Sequence, residues 1–218
     1  VPGSTRAGTN VPVGTYGIGG SGRGAANYSV QYVNGTLGVL PTALLVTPNN
    51  ASRAYGQTNP VFTAGISGFV NGENQSALGG TLTLSTVADT NSAVGSYPIT
   101  GSGLTSTNYS ISYTNGTLAV TPFALTVTAD NQTRTYGATN PVLGGTLVGV
   151  RNGDNVTASD STLATANSVV GTYSIVASLT DQNGKLGNYS VTTNNGSLSF
   201  TAATLVGTAD NTSRLYGQ

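Results

Sequence analysis

Three copies of Arg-x-Tyr-Gly, at Arg53–Gly56, Arg134–Gly137 and Arg214–Gly217, place a guanidinium and a phenol two residues apart, on one face of a strand. Tyr55, Tyr136 and Tyr216 could form a ladder of aromatic planes for stacking sugars. The alternative is structural: each tyrosine packs in its own domain with its hydroxyl bonded, as buried tyrosines usually are, and the arginine makes a contact across a repeat junction. The structural reading is preferred. Asn-x-Ser/Thr, a glycan acceptor in some secreted proteins, occurs at Asn27, Asn108 and Asn188, at Asn34, Asn115 and Asn195, and at Asn50, Asn131 and Asn211. A chain so rich in Asn, Ser and Thr generates this triplet readily, and Asn34, Asn115 and Asn195 have a competing use in turns. Asp181-Gln182-Asn183-Gly184 faintly resembles a calcium loop but lacks its spacing and closing Glu. Gly19–Gly24 is glycine-rich but ends without the Lys-Ser/Thr of a phosphate loop, and reads as a long hairpin loop. Glu73 is the only Glu, and without a counterpart in the next repeat it offers no carboxylate pair for glycoside chemistry.

The chain has no Cys and no His, which removes thiol nucleophiles, Ser-His systems and soft-metal sites. The reading is therefore of a chain that is not an enzyme, with no catalytic, cofactor-binding or metal-binding residue and no cofactor. The one lysine, Lys185, also excludes a Lys–Asn cross-link in every repeat. Charged residues make up 6% of the chain, against about a quarter in ordinary domains, and the formal net charge is zero. Nucleic acid and anionic membrane surfaces both demand clustered Lys and Arg, so neither is an expected partner. No apolar run is long enough for a membrane helix, and Val1 opens no signal-peptide pattern. With Val in place of an initiator Met, the chain is expected to be internal to a longer precursor or proteolytically matured.

These residues are positioned by repetition. Tyr55, Tyr136 and Tyr216 are spaced by 81 and 80 residues, and Asn-Tyr-Ser at Asn27, Asn108 and Asn188 keeps the same intervals. Asn-Gly-(Thr/Ser)-Leu at Asn34, Asn115 and Asn195 keeps them again, and Val-Gly-(Thr/Ser)-Tyr ends at Tyr16, Tyr97 and Tyr173. These landmarks parse the chain into the second half of a repeat (1–41), complete repeats at 42–122 and 123–202, and the opening strand of another at 203–218. The longer loop Asp181–Gly187 is expected at the surface.

Each repeat reads as strands. Leu125 and Val127 alternate with Thr126 and Thr128, and Tyr109, Ile111 and Tyr113 share a face opposite Ser110, Ser112 and Thr114. Thr81–Leu84 and Gly95–Thr100 are further strands, while Asn71–Leu78 allows one short helical turn at most. Asn115-Gly116 favours a type I′ turn, so 108–120 is expected to be a hairpin, with Asn34 and Asn195 in equivalent turns. The expected architecture is all-β: an elongated tandem array of small Ig-like domains of about 80 residues.

Arg134–Pro141, Gly68–Glu73, Val94–Tyr97 and Asn108–Val120 resemble successive motifs of MBG repeats of the YGX type. The repeat at 123–202 departs from that pattern, with Gly149-Val150-Arg151-Asn152-Gly153-Asp154 in place of the aromatic-containing run, and Asn49 stands where Asp130 and Asp210 stand later. The resemblance implies a β-grasp-like fold, export, and a place in long secreted bacterial adhesins of the filamentous-haemagglutinin-like kind. The leading expectation is then a stalk or filament displayed at the bacterial cell surface, whose partners are neighbouring repeats. A glycan- or mucin-binding module is the second reading, and a self-assembling filament subunit the third. The connections between the last strand of one repeat and the first of the next are too short for a flexible coil, so a semi-rigid rod is expected.

Overall fold

The computed structural model describes residues 4–5, 8, 10–22, 24 and 26–218. The chain divides into two compact units, Val1–Thr121 and Pro122–Gln218.

In the first unit, β1 (Ser4–Thr5), β2 (Gly14–Gly19) and β3 (Gly35–Val39) form one antiparallel sheet. The repeat that follows contains β4 (Thr42–Pro48), β5 (Ala51–Ala54), β6 (Ala64–Ser67), β7 (Gly79–Ser85), β8 (Gly95–Thr105), β9 (Tyr109–Tyr113) and β10 (Gly116–Thr121). Its two sheets run β6-β4-β9 and β5-β10-β8-β7. The second unit contains β11 (Phe123–Ala129), β12 (Gln132–Thr135), β13 (Gly145–Val148), β14 (Val156–Ser161), β15 (Thr172–Asp181), β16 (Tyr189–Asn194) and β17 (Gly196–Thr201), with sheets β13-β11-β16 and β12-β17-β15-β14. The order is that of the preceding repeat, strand for strand. Among the described residues the helical pieces are single 3-10 turns at Gln75–Ala77 and Leu186–Asn188.

The all-β class is as expected, and within it the layout is sheet on sheet. Period-two alternation drives it: β4 turns Leu44 and Val46 inward, β11 turns Leu125 and Val127 inward, and the intervening residues stay more exposed. In the second unit Val127 of the three-stranded sheet packs with Ile175, Ala177, Leu198 and Phe200 of the four-stranded one. Leu44, Val46, Ile99, Leu118 and Val120 are the matching buried set in the first.

The expected hairpin over 108–120 does not form. Strand β9 pairs parallel with β4, from Thr42↔Tyr109 to Val46↔Tyr113, whereas β10 pairs parallel with β5 and antiparallel with β8. Asn115-Gly116 is thus a crossing from one sheet to the other. Asn49-Asn50, between β4 and β5, is a second crossing, and the two are stapled: Thr117 N–H donates to Asn50 Oδ1 at 2.8 Å. Glycine is required there for close approach, since a Cβ on Gly116 would lie 2.6 Å from the Pro48 carbonyl oxygen. The second repeat repeats the device, with Ser197 N–H on Asn131 Oδ1 at 2.8 Å and a Cβ on Gly196 placed 2.6 Å from Asp130 O. At Asn34 no hairpin forms either, because Gly35 opens β3 and β3 pairs with β2.

Left-handed Asn-Gly turns exist elsewhere. Asn71 and Gly72 have φ of 56° and 73°, Asn152 and Gly153 have 56° and 69°, and the bonds Glu73 N–H to Val70 O and Asp154 N–H to Arg151 O close both turns. Of the glycine-rich run 19–24, Arg23 lies outside the described residues, as does Val1. The strand expected within 203–218 is absent: these residues are exposed and carry no strand. Its equivalent β11 is held between β13 and β16, and 203–218 has no such neighbours among the described residues.

Candidate functional site

Two clusters of recurrent side chains act as locks in the complete repeats. The first is built on the left-handed turn. The Tyr109 hydroxyl donates to Glu73 Oε2 at 2.7 Å and accepts from Val70 N–H at 3.2 Å, while the Phe69 ring meets the Tyr109 ring edge-on with centroids 5.6 Å apart. In the second repeat the Tyr189 hydroxyl donates to Asp154 Oδ2 at 2.6 Å and accepts from Arg151 N–H at 2.9 Å. Where the first repeat has the Phe69 ring, the second lays the Arg151 guanidinium over Phe123, 4.0 Å from the ring centroid. The hydrogen bond to Glu73, then burial and the Glu73 charge, raise the Tyr109 pKa, the Val70 amide acting in the opposite direction. The carboxylate assumed to lack a counterpart does have one. Glu73 and Asp154 occupy the same place 81 residues apart, and reading Asn-Gly-Glu against Asn-Gly-Asp would have found it.

The second lock is the arginine of Arg-x-Tyr-Gly. Arg53 and Arg134 are buried. Arg53 donates from Nε to Asn59 Oδ1 at 2.6 Å and from its terminal nitrogens to Ala54 O and Asp89 O; Asn59 Nδ2 in turn donates to Ala88 O at 2.7 Å. Arg134 donates to Thr135 O, Ala138 O and Thr165 O and lies 3.5 Å from the centroid of the Phe200 ring. These guanidiniums bond within their own repeat, which corrects the expectation of a junction contact. A buried cation needs partners for its donors. The Asn59 side chain and loop carbonyls take those of Arg53. Loop carbonyls take the terminal nitrogens of Arg134 and leave its Nε without a hydrogen-bond partner among the described residues. Tyr55 is 1% exposed, but Tyr136 is 47% exposed, so the tyrosines of this motif do not share one environment.

Three more tyrosines act as corner posts. The hydroxyls of Tyr16, Tyr97 and Tyr173 donate to the carbonyls four residues upstream, Pro12, Ala93 and Val169, at 2.6, 2.9 and 2.8 Å. This explains the recurrence of Val-Gly-(Thr/Ser)-Tyr.

The Asn-x-Ser/Thr asparagines largely serve the framework. Besides Asn50 and Asn131, Asn195 Oδ1 accepts from Ala177 N–H at 3.2 Å, Asn108 Oδ1 from Val13 N–H at 3.1 Å, and Asn188 is buried. The Asp181 loop is closed on itself: Asp181 Oδ2 accepts from Leu186 N–H at 2.7 Å and Oδ1 from Asn183 N–H at 3.3 Å. The amides of Leu186, then Lys185, hold its carboxyl below the usual range. Among the described residues no three His, Cys, Asp or Glu side chains converge as metal ligands.

The fold and these locks define a class, tandem β-sheet repeats in which the recurrent polar residues stabilise turns, crossings and loops. The model of the MBG domain family, YGX type, matches at residues 44–119 and again at 125–199, and the chain belongs to that family. No curated protein matches the chain.

Proposed function

We propose that this chain is part of the structural repeat region, a stalk or filament, of a bacterial extracellular adhesin or surface fibre. The observation that carries the reading is what recurs: core positions, the Tyr109–Glu73 and Tyr189–Asp154 locks, the Arg53 and Arg134 loop anchors and the strand crossings. All of them maintain shape. The chain performs no catalysis and takes no cofactor in this role. Its partners are neighbouring repeats. Display outside the cell accords with the family and with a surface poor in charge.

A lectin-like array should repeat an exposed aromatic and polar cluster, and the different exposures of Tyr55 and Tyr136 count against one. In a repeat array, neighbour interfaces supply part of the stability, so a rod-forming segment should be stabilised by its neighbours. The test compares residues 42–122 with 42–202 by thermal unfolding and small-angle scattering. A higher melting temperature for the pair and a rod-like profile are expected. Equal stability per repeat with scattering from freely jointed beads would refute the stalk, and saturable binding to a glycan array would favour the adhesive module.

A further inference from the structure

We infer that Asn108, with the Tyr109–Glu73 lock behind it, is the socket by which the repeat 42–122 grips the half-repeat that precedes it. This rests on the stalk reading for its purpose, though the chemistry stands apart from it. Val13 N–H reaches Asn108 Oδ1 at 3.1 Å across 95 residues of sequence.

Both ends of that bond are held in place. On the donor side, the Tyr16 hydroxyl takes the Pro12 carbonyl at 2.6 Å and so fixes the peptide unit whose N–H belongs to Val13. On the acceptor side, Ser106 Oγ accepts from the Asn108 and Tyr109 amides, both at 3.1 Å, and Asn108 O accepts from Thr42 N–H, also at 3.1 Å. The socket thus sits where the chain passes into the repeat, at Thr42, three residues after β3 ends at Val39.

Around the bond is a cleft of about 310 Å³, with Pro12, Val13 and Leu40 on one wall and Val70, Glu73 and Tyr109 on the other. The turn that Tyr109 locks is therefore a wall of this interface, which gives the lock a use beyond its own loop. Both halves of the device recur in the sequence, the corner tyrosine at Tyr16, Tyr97 and Tyr173 and the acceptor at Asn27, Asn108 and Asn188. An uncharged bond of this kind suits a chain with so few charges.

The experiment uses the whole 218-residue chain, amide hydrogen exchange by NMR, and the variants Asn108→Ala and Asn108→Asp. Asn108→Ala removes the acceptor, and Val13 exchange should accelerate about tenfold, the worth of one hydrogen bond, while β4 and β9 stay protected. Asn108→Asp keeps an acceptor oxygen and should leave Val13 close to the parent rate. Unchanged Val13 protection in Asn108→Ala would overturn the socket. So would loss spread evenly through β4–β10, or failure of that variant to fold, because Asn108 would then be an internal support. The stalk reading is judged separately by scattering and unfolding, so either idea can fail while the other stands.

Discussion

Two Asn-Gly pairs of identical chemistry have opposite jobs. Asn71-Gly72 supplies the left-handed backbone of a tight turn, whereas Asn115-Gly116 marks a crossing at which glycine lets another backbone approach. Substitution should separate them. Asn71→Gly should be near neutral and Asn71→Val should cost about 1–2 kcal/mol, because a branched residue resists positive φ. Gly116→Ala should cost about 1–3 kcal/mol, through the clash with Pro48 O. Urea titration of the three variants checks this. Two groups couple the stability of the fold to pH. The Asp181 carboxyl is held below its ordinary value by the Leu186 amide, so its contribution is present above the unfolded pKa and is lost as pH falls through the folded one. Tyr109 is shifted upward, so its contribution is complete below the unfolded tyrosine value and is lost as pH rises through the raised folded one. Tyr109→Phe should flatten the alkaline limb of a stability–pH profile, and Asp181→Asn the acid limb. Unchanged limbs would remove both assignments.

At the scale of elements, the opening strand crosses between sheets within a few residues and pairs parallel with a late strand in each sheet. The crossings are stapled by Asn50 and Asn131, and the loops that join β7 to β8 and β14 to β15 hang on the buried arginines. Lysine cannot reproduce Arg134, since one ammonium cannot reach three carbonyls and also cover the Phe200 ring as the guanidinium does. Arg134→Lys should destabilise the second unit by about 2–3 kcal/mol, the scale of hydrogen bonds to a charged group. Leu198→Ala, emptying a fully buried site, should cost about 2–5 kcal/mol. Chemical denaturation followed by tyrosine fluorescence measures both. A negligible loss in Arg134→Lys would mean that its loop closes without it.

At the scale of the molecule, each complete repeat is closed by contacts between its beginning and its end, such as Ser112 Oγ on Leu44 O, 68 residues apart. No part of a repeat can bury its core until its last strands arrive, so loop-closure entropy is spent before most of the reward. Folding should be slow for the size, in milliseconds to seconds. Stopped-flow refolding of 42–122 tests this, and microsecond folding would contradict the closure argument.

Periodicity and alternation in the sequence were enough for the all-β class, the tandem repetition and the inward residues of β11, because burial of alternate side chains is a local pattern. Leu125 and Val127 read the same alone and folded. The recurrence of Arg53, Tyr109 and Asn108 was equally visible, but their partners were not. Whether Asn115-Gly116 turns a hairpin or crosses between sheets depends on Pro48, 67 residues before Asn115, and on Asn50, which bonds Thr117. A carboxylate finds its tyrosine, an arginine its carbonyls and Asn108 its amide only after distant strands pair, because a hydrogen bond is specified by three-dimensional geometry that sequence spacing does not contain.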